Sequence, residues 1–196
     1  MAFEYLLFGF FVNIITSFDD TITNVPILAS VTKVKMGKIA FSVGTMLAII
    51  AAIIISIFFA TFLRSFAYYR YIAATLIFIL AALIYFDVFV HKPRTKAGKR
   101  LLRLKKVSTV RFTQLIGIGF IASFATVLDD IIAYLPLFIG GFLIKAYAII
   151  GIILATIVEI IAVIYFSEKI AKIKYKEEIA SAGLVLLGIL ILAGVV

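Results

Sequence analysis

The sequence has no cysteine, no tryptophan, one histidine and three prolines in 196 residues. The missing cysteine excludes disulfides, thiolate chemistry and iron–sulfur clusters, and it leaves the redox compartment undetermined. Charge is scarce as well: 15% of residues are charged, against about a quarter in soluble domains. Hydrophobic residues make up 65% of the chain, and mean hydropathy is +1.24. Water therefore cannot be the main solvent of this protein. Strict alternation of apolar and polar residues is absent, so apolar runs of about 20 residues predict membrane helices rather than an outer-membrane barrel.

Apolar runs between charged breaks predict six spans: Tyr5–Val31, Ile39–Leu63, Tyr71–Val90, Phe112–Leu143, Ala146–Phe166 and Ile179–Val196. Glu4 at the amino end, and a first run too long for a cleavable signal, predict that the first helix is retained. The connections after spans one, three and five carry 16 of the 19 Lys and Arg, and only Arg64, Arg70 and Lys145 lie opposite. The positive-inside rule then puts those connections in the cytoplasm and both termini outside, in a multi-pass plasma-membrane protein. The basic stretch 91–111 reads as a topology anchor facing anionic lipid. It holds no aromatic residue on which bases would stack, so a nucleic-acid partner is not expected.

Two segments repeat with a constant offset of 110 residues: Asn13 to Pro26 and Ser123 to Pro136. Gly9 and Gly119, Phe10 and Phe120, Thr16 and Thr126, and Ile22 and Ile132 keep the same offset. The chain divides into a three-helix repeat (1–90), a basic linker (91–111) and a second repeat (112–196). Three spans per unit is an odd number, so the copies enter the membrane from opposite faces. The expected fold is all-α: six transmembrane helices as a 3+3 inverted-topology repeat, a plan that transporters use with substrate near the midplane. The sequence leaves a homodimer open.

Each repeat carries a pair of aspartates inside a span, Asp19 with Asp20 and Asp129 with Asp130. A charge there costs at least ~2.5–3.5 kcal/mol on insertion scales, so two duplicated pairs at matched depth require an offsetting interaction. Helical spacing sets Asn13, Thr16 and Asp20 on one stripe and Ser123, Thr126 and Asp130 on its counterpart, and the two stripes are expected to face one another. Pro26 and Pro136 remove amide donors, which predicts kinks or breaks in helices one and four and frees the carbonyls of Ile22 and Ile132. Carboxylate, hydroxyl, amide and carbonyl oxygens suit hard divalent cations as cargo, such as manganese, calcium or magnesium. Crowded carboxylates also favour exchange of a departing cation for protons. Glu159, mid-span with Thr156 a turn before it, is a proton-relay candidate, an extra ligand, or a carboxyl held protonated in the bundle. No resident cofactor is implied.

The segment Asp129-Asp130-Ile131-Ile132-Ala133-Tyr134-Leu135-Pro136 resembles the Asp-Asn-Ile-x-x-Tyr-x-Pro signature of CadD-type cadmium resistance transporters. That family lies in the LysE superfamily, which also holds the MntP manganese exporters. Asp130 stands where the signature has Asn, and Asp20 adds a further acid. The resemblance implies divalent-cation efflux with Asp19 and Asp129 as the acidic positions, and no enzymatic activity. Two other classes share features with this chain. A LysE-type exporter of amino acids or small organic cations would have the same topology, and an aspartyl intramembrane protease would also pair aspartates. The protease requires a Gly-x-Gly-Asp type motif, which is missing around Asp19 and Asp129.

Overall fold

The computed structural model describes residues 2–17, 35–86, 109–170 and 175–194, and all regular structure among them is helical. In chain order these are α1 (Ala2–Thr16), α2 (Lys35–Leu63), α3 (Tyr69–Tyr85), α4 (Thr109–Thr126), α5 (Leu128–Tyr134), a 3₁₀ turn (Pro136–Phe138), α6 (Phe142–Ile170) and α7 (Lys176–Leu192). Runs of Leu, Ile, Ala and Phe without internal proline explain the long elements. Both α2 and α6 have 29 residues, a length of about 43 Å at 1.5 Å per residue. Each holds a stretch long and apolar enough to cross a membrane, Ile39–Leu63 and Phe142–Tyr165.

The span expected over Phe112–Leu143 is not one helix. It divides into α4, α5 and the 3₁₀ turn, and Phe142 and Leu143 already belong to α6. The first break, at Val127 (φ −80°, ψ 2°), carries neither proline nor glycine; it falls at the β-branched Thr126–Val127 pair, whose stiff side chains lower helix propensity slightly. The second follows from Pro136, as expected, because its ring removes the amide that would continue α5. The Ile132 carbonyl is not left free, however: the Leu135 amide takes it at 3.3 Å as the chain tightens into the 3₁₀ turn. The break expected near Pro26 lies outside the described residues.

Three helix pairs build the bundle: α1 packs along α6, α2 along α4 and α3 along α7. Glycines let two of these pairs approach at backbone distance. A Cβ at Gly151 would lie 2.1 Å from the Leu6 carbonyl oxygen and 2.8 Å from the Phe10 nitrogen, and one at Gly44 would lie 2.5 Å from the Ile116 oxygen and 2.6 Å from the Phe120 nitrogen. The α5 and 3₁₀ segment is wedged among α1, α2 and α3, and Tyr134, Leu137 and Phe138 there are fully buried. Ser56 of α2 ties this wedge down by donating to the Ile131 carbonyl at 3.0 Å.

The distribution of polarity is opposite to that of a water-soluble bundle. Asn13, Thr16, Ser56 and Asp130 have no exposure at all, whereas Phe58 and Phe142 are 72% and 84% exposed. Large apolar side chains also cover the outside of α2 and α6, among them Ile54, Phe62, Leu154 and Ile161.

Candidate functional site

The polar interior is organised by two rungs between α1 and the residues that follow the α4 break. The Tyr134 hydroxyl donates to Asn13 Oδ1, and Ser17 Oγ donates to Asp130 Oδ2 at 3.3 Å. Asn13 and Ser17 are four residues apart, as are Asp130 and Tyr134, so each pair stands on one helical stripe. The rungs run in opposite chain directions, 13 with 134 and 17 with 130, which makes α1 and α5 antiparallel.

Asn13 has a second partner. Its Nδ2 donates to Glu159 Oε1 at 3.0 Å, which ties α1 to α6. Tyr134, Asn13 and Glu159 therefore form one chain of hydrogen bonds that begins four residues from Asp130 and ends on a different helix. Asn13 and Tyr134 are fully buried, and Glu159 is half-buried. Unpartnered, such groups would cost about 1–3 kcal/mol each, so the bonds are needed simply to place them here.

Of the two stripes expected to face each other, the described residues bring Asp130 to the first helix through Ser17 and place Asn13 and Ser123 apart. Asn13 turns toward Glu159 and Tyr134, while Ser123 shares a 2.9 Å hydrogen bond with Thr45 of α2. Among the described residues α1 and α4 do not pack along one another; they are joined through α5. Thr16 spends its hydroxyl proton on its own helix, on the carbonyls of Val12 at 3.0 Å and Asn13 at 3.3 Å, which is a structural role. Thr156 likewise bonds the Ile152 carbonyl at 2.9 Å. Asp19 and Asp20 lie outside the described residues, and so do the side chains of Thr126 and Asp129. Among the described residues no three acidic, histidine or cysteine side chains form a cluster.

Ser17 and Tyr134 are site residues that stripe reasoning missed. The signal was present: each stands one helical turn from a residue already singled out, Asn13 or Asp130. Every group assembled here offers oxygen, as carboxylate, hydroxyl or amide carbonyl, with the Asn13 nitrogen as the exception. That chemistry fits a hard cation and offers nothing to a soft one.

A cavity of about 280 Å³ opens at one end of the bundle, lined by Tyr5, Arg64, Tyr69, Arg70, Gly140 and Gly141, with Pro136 on its floor. Comparison with protein families, with curated proteins and with solved structures gave no match.

Proposed function

We propose that this chain is a six-span transporter built as a 3+3 inverted repeat, which exports divalent metal cations across the plasma membrane in exchange for protons; the resemblance of its motif to CadD-type proteins of the LysE superfamily supports the metal efflux. Membrane insertion is supported by the polarity pattern: the most apolar windows of α2 and α6 are only 39% and 33% buried within the chain. A helix in the core of a soluble protein would be mostly covered. The remaining large side chains need an apolar solvent, which the bilayer supplies.

The repeat is supported by the glycine crossings. An offset of 110 carries Leu6, Gly9 and Phe10 onto Ile116, Gly119 and Phe120, and an offset of 107 carries α2 onto α6 and Gly44 onto Gly151. The same backbone atoms then meet in both places. Exchange of the repeats turns the α1–α6 pair into the α4–α2 pair and returns α3–α7 to itself, which matches the three pairings. The shorter offset sets Ala52, rather than Ile49, opposite Glu159.

Directions agree with six alternating spans. Gly9 meets Ala148 and Asn13 meets Glu159, so α1 and α6 are parallel; Gly119 meets Phe41 and Ser123 meets Thr45, so α2 and α4 are parallel. Ser181 bonds the Ala81 carbonyl while Gly188 meets Phe78, so α3 and α7 are antiparallel. The cavity gathers Tyr5, Arg64, Arg70, Gly141 and Ile191 at one end, all from the ends of spans assigned to the outside by charge.

The observation that carries the transport reading is the pair of rungs. A helix of the first repeat and the broken helix of the second meet at Asp130, deep in the apolar bundle, through oxygen-bearing side chains. A discontinuous helix beside an acid at such depth is how membrane transporters hold ions. We assign the cation to Asp19, Asp20, Asp129 and Asp130, and the cytoplasm to the 91–111 side.

Metal-driven proton movement in proteoliposomes tests this, with Mn²⁺, Ca²⁺, Mg²⁺, Cd²⁺ and Zn²⁺ as a panel. Asp19→Asn and Asp129→Asn are each expected to abolish it in protein that still folds; unchanged flux in both overturns the site assignment.

One observation favours a second reading, a LysE-type exporter of amino acids. Arg64 and Arg70 at the cavity would oppose a departing cation and welcome a substrate carboxylate. Counterflow of labelled lysine or arginine, with no response to metal, would decide for it.

A further inference from the structure

Glu159 stands apart from the aspartates, on α6, and is bound there by the amide of Asn13. Resting on the proton-exchange reading above, we propose that Glu159 is the proton-carrying group of the transporter rather than a cation ligand, and that Asn13 and Tyr134 couple its charge to the aspartate site. The geometry supplies both halves of this: a carboxyl on a separate helix, and an unbroken hydrogen-bonded link from it to the stripe that carries Asp130.

The link works because an amide has a donor end and an acceptor end that cannot be changed independently. With Glu159 ionised, Nδ2 donates to it in a charge-assisted bond, and Oδ1 is left to accept the Tyr134 proton. A proton bound to the Glu159 carboxylate removes the charge from that bond and adds a donor, while the carboxyl keeps an oxygen that accepts. The amide is then free to turn by half a turn, with Oδ1 accepting from Glu159 and Nδ2 donating to the Tyr134 oxygen. In that arrangement Tyr134 loses its acceptor on α1, and its hydroxyl proton is directed elsewhere. Tyr134 shares its stripe with Asp130, whose own partner on α1 is Ser17 one turn away. Loading Glu159 with a proton thus reverses one of the two rungs that hold the aspartate-bearing segment against α1 and redirects the Tyr134 proton, which links the charge of Glu159 to the aspartate site.

Few other charges compete for this role. α2, packed against α6, has no titratable side chain between Lys38 and Arg64. α1 has none between Tyr5 and Thr16, and the 3₁₀ turn has none. Within α6 the other titratable groups sit toward its ends: Lys145, Tyr147, Tyr165, Glu168 and Lys169. From α5 come Asp129, Asp130 and Tyr134, the far end of the same link.

Three proteins reconstituted with an internal pH dye test the assignment: wild type, Glu159→Gln and Tyr134→Phe. Equilibrium Mn²⁺ binding is measured on each across pH 5.5–8.5. Glu159→Gln keeps a side chain that accepts from Asn13. It is expected to bind Mn²⁺ within about three-fold of wild type, to lose at least about ten-fold in Mn²⁺-driven proton movement, and still to pass Mn²⁺ down its gradient. Tyr134→Phe is expected to show a Mn²⁺ affinity that varies less with pH than that of wild type, a change that a purely structural role of the hydroxyl would not produce. Wild-type proton movement in Glu159→Gln overturns the inference, and so does a loss of Mn²⁺ binding beyond about ten-fold, which would make Glu159 a ligand. If wild type moves no protons in response to any metal of the panel, the exchange reading itself falls; wild-type movement that survives Glu159→Gln removes the coupling alone.

Discussion

Replacing Gly151 by alanine should separate α1 from α6 by a calculable amount. The added methyl carbon would lie 2.1 Å from the Leu6 carbonyl oxygen, and contacts below 3.0 Å do not persist, so the backbones must part by about 0.9 Å at the crossing. No rotamer change relieves this, because the atoms it meets are main chain. A gap of that size forfeits about a quarter to a half of the dispersion energy of the contacts it opens, and overpacking of this kind costs about 1–3 kcal/mol. Alanine returns up to about 0.8–1 kcal/mol through its better helix propensity. With main-chain atoms as the obstacle the cost falls in the upper part of that range, about 2–3 kcal/mol, so the clash wins, and a net loss of about 1–2 kcal/mol should lower the unfolding temperature of the detergent-solubilised protein by about 2–8 °C. Gly44→Ala, at the equivalent crossing of α2 with α4, should do the same. Gly117→Ala is the control, since its methyl meets nothing within 4 Å, and it should be neutral or stabilising. Tryptophan is absent, so tyrosine fluorescence or circular dichroism reads the transitions. If Gly151→Ala and Gly44→Ala melt with Gly117→Ala, within about 1 °C, the close packing of both pairs is wrong.

Asp130→Asn should weaken Mn²⁺ binding by at least about ten-fold in an equilibrium titration while leaving the melt nearly unchanged, because asparagine can still accept from Ser17; unaltered affinity would remove Asp130 from the site. Ser56→Ala deletes the hydroxyl that ties α2 to the Ile131 carbonyl at 3.0 Å, and a loss of about 1 kcal/mol should appear as a melt lowered by about 2–4 °C. Because the chain has no cysteine, Ser65→Cys and Ser108→Cys each provide a unique label. An impermeant maleimide should reach Ser65→Cys in right-side-out vesicles and Ser108→Cys only in inverted ones, and the reverse pattern would refute the orientation.

How much of this architecture can be read from residues alone differs from element to element. The run Ile39–Leu63 is legible because hydropathy and backbone agree there: one apolar stretch, one helix. Phe112–Leu143 is also apolar over most of its length, and hydropathy reports the solvent around a segment rather than its hydrogen bonding, so the break at Val127 leaves no more trace than a β-branched pair. Pro136 does leave one, since a missing amide is written in the sequence. The offset of 110 is plain in the motifs of spans one and four, whereas the repeat proposed for α2 and α6 requires an offset of 107, because the stretch from Pro136 to α6 is three residues shorter than that from Pro26 to α2. Asn13 is conspicuous as an amide in an apolar helix. Its partners are 146 and 121 positions away, and only the pairing of α1 with α6 and the wedge of α5 bring them near.

The antiparallel rungs also explain how a seven-residue helix holds one depth in the bundle. α5 is Leu128–Tyr134, and its apolar faces, mostly Leu, Ile and Ala, would pack in several registers against α1. A slide of one turn would set Asp130 opposite Asn13 and Tyr134 opposite Gly9, where there is no side chain to accept the hydroxyl. Ser17 would lose its partner as well. Two buried polar groups left unsatisfied cost about 2–6 kcal/mol together, more than the apolar contacts of so short a helix discriminate between registers. A single buried asparagine fixes register in coiled coils on the same grounds. Here the polar pair fixes the height of Asp130 in the bundle, and with it, on the proposed function, the depth at which a cation would be held.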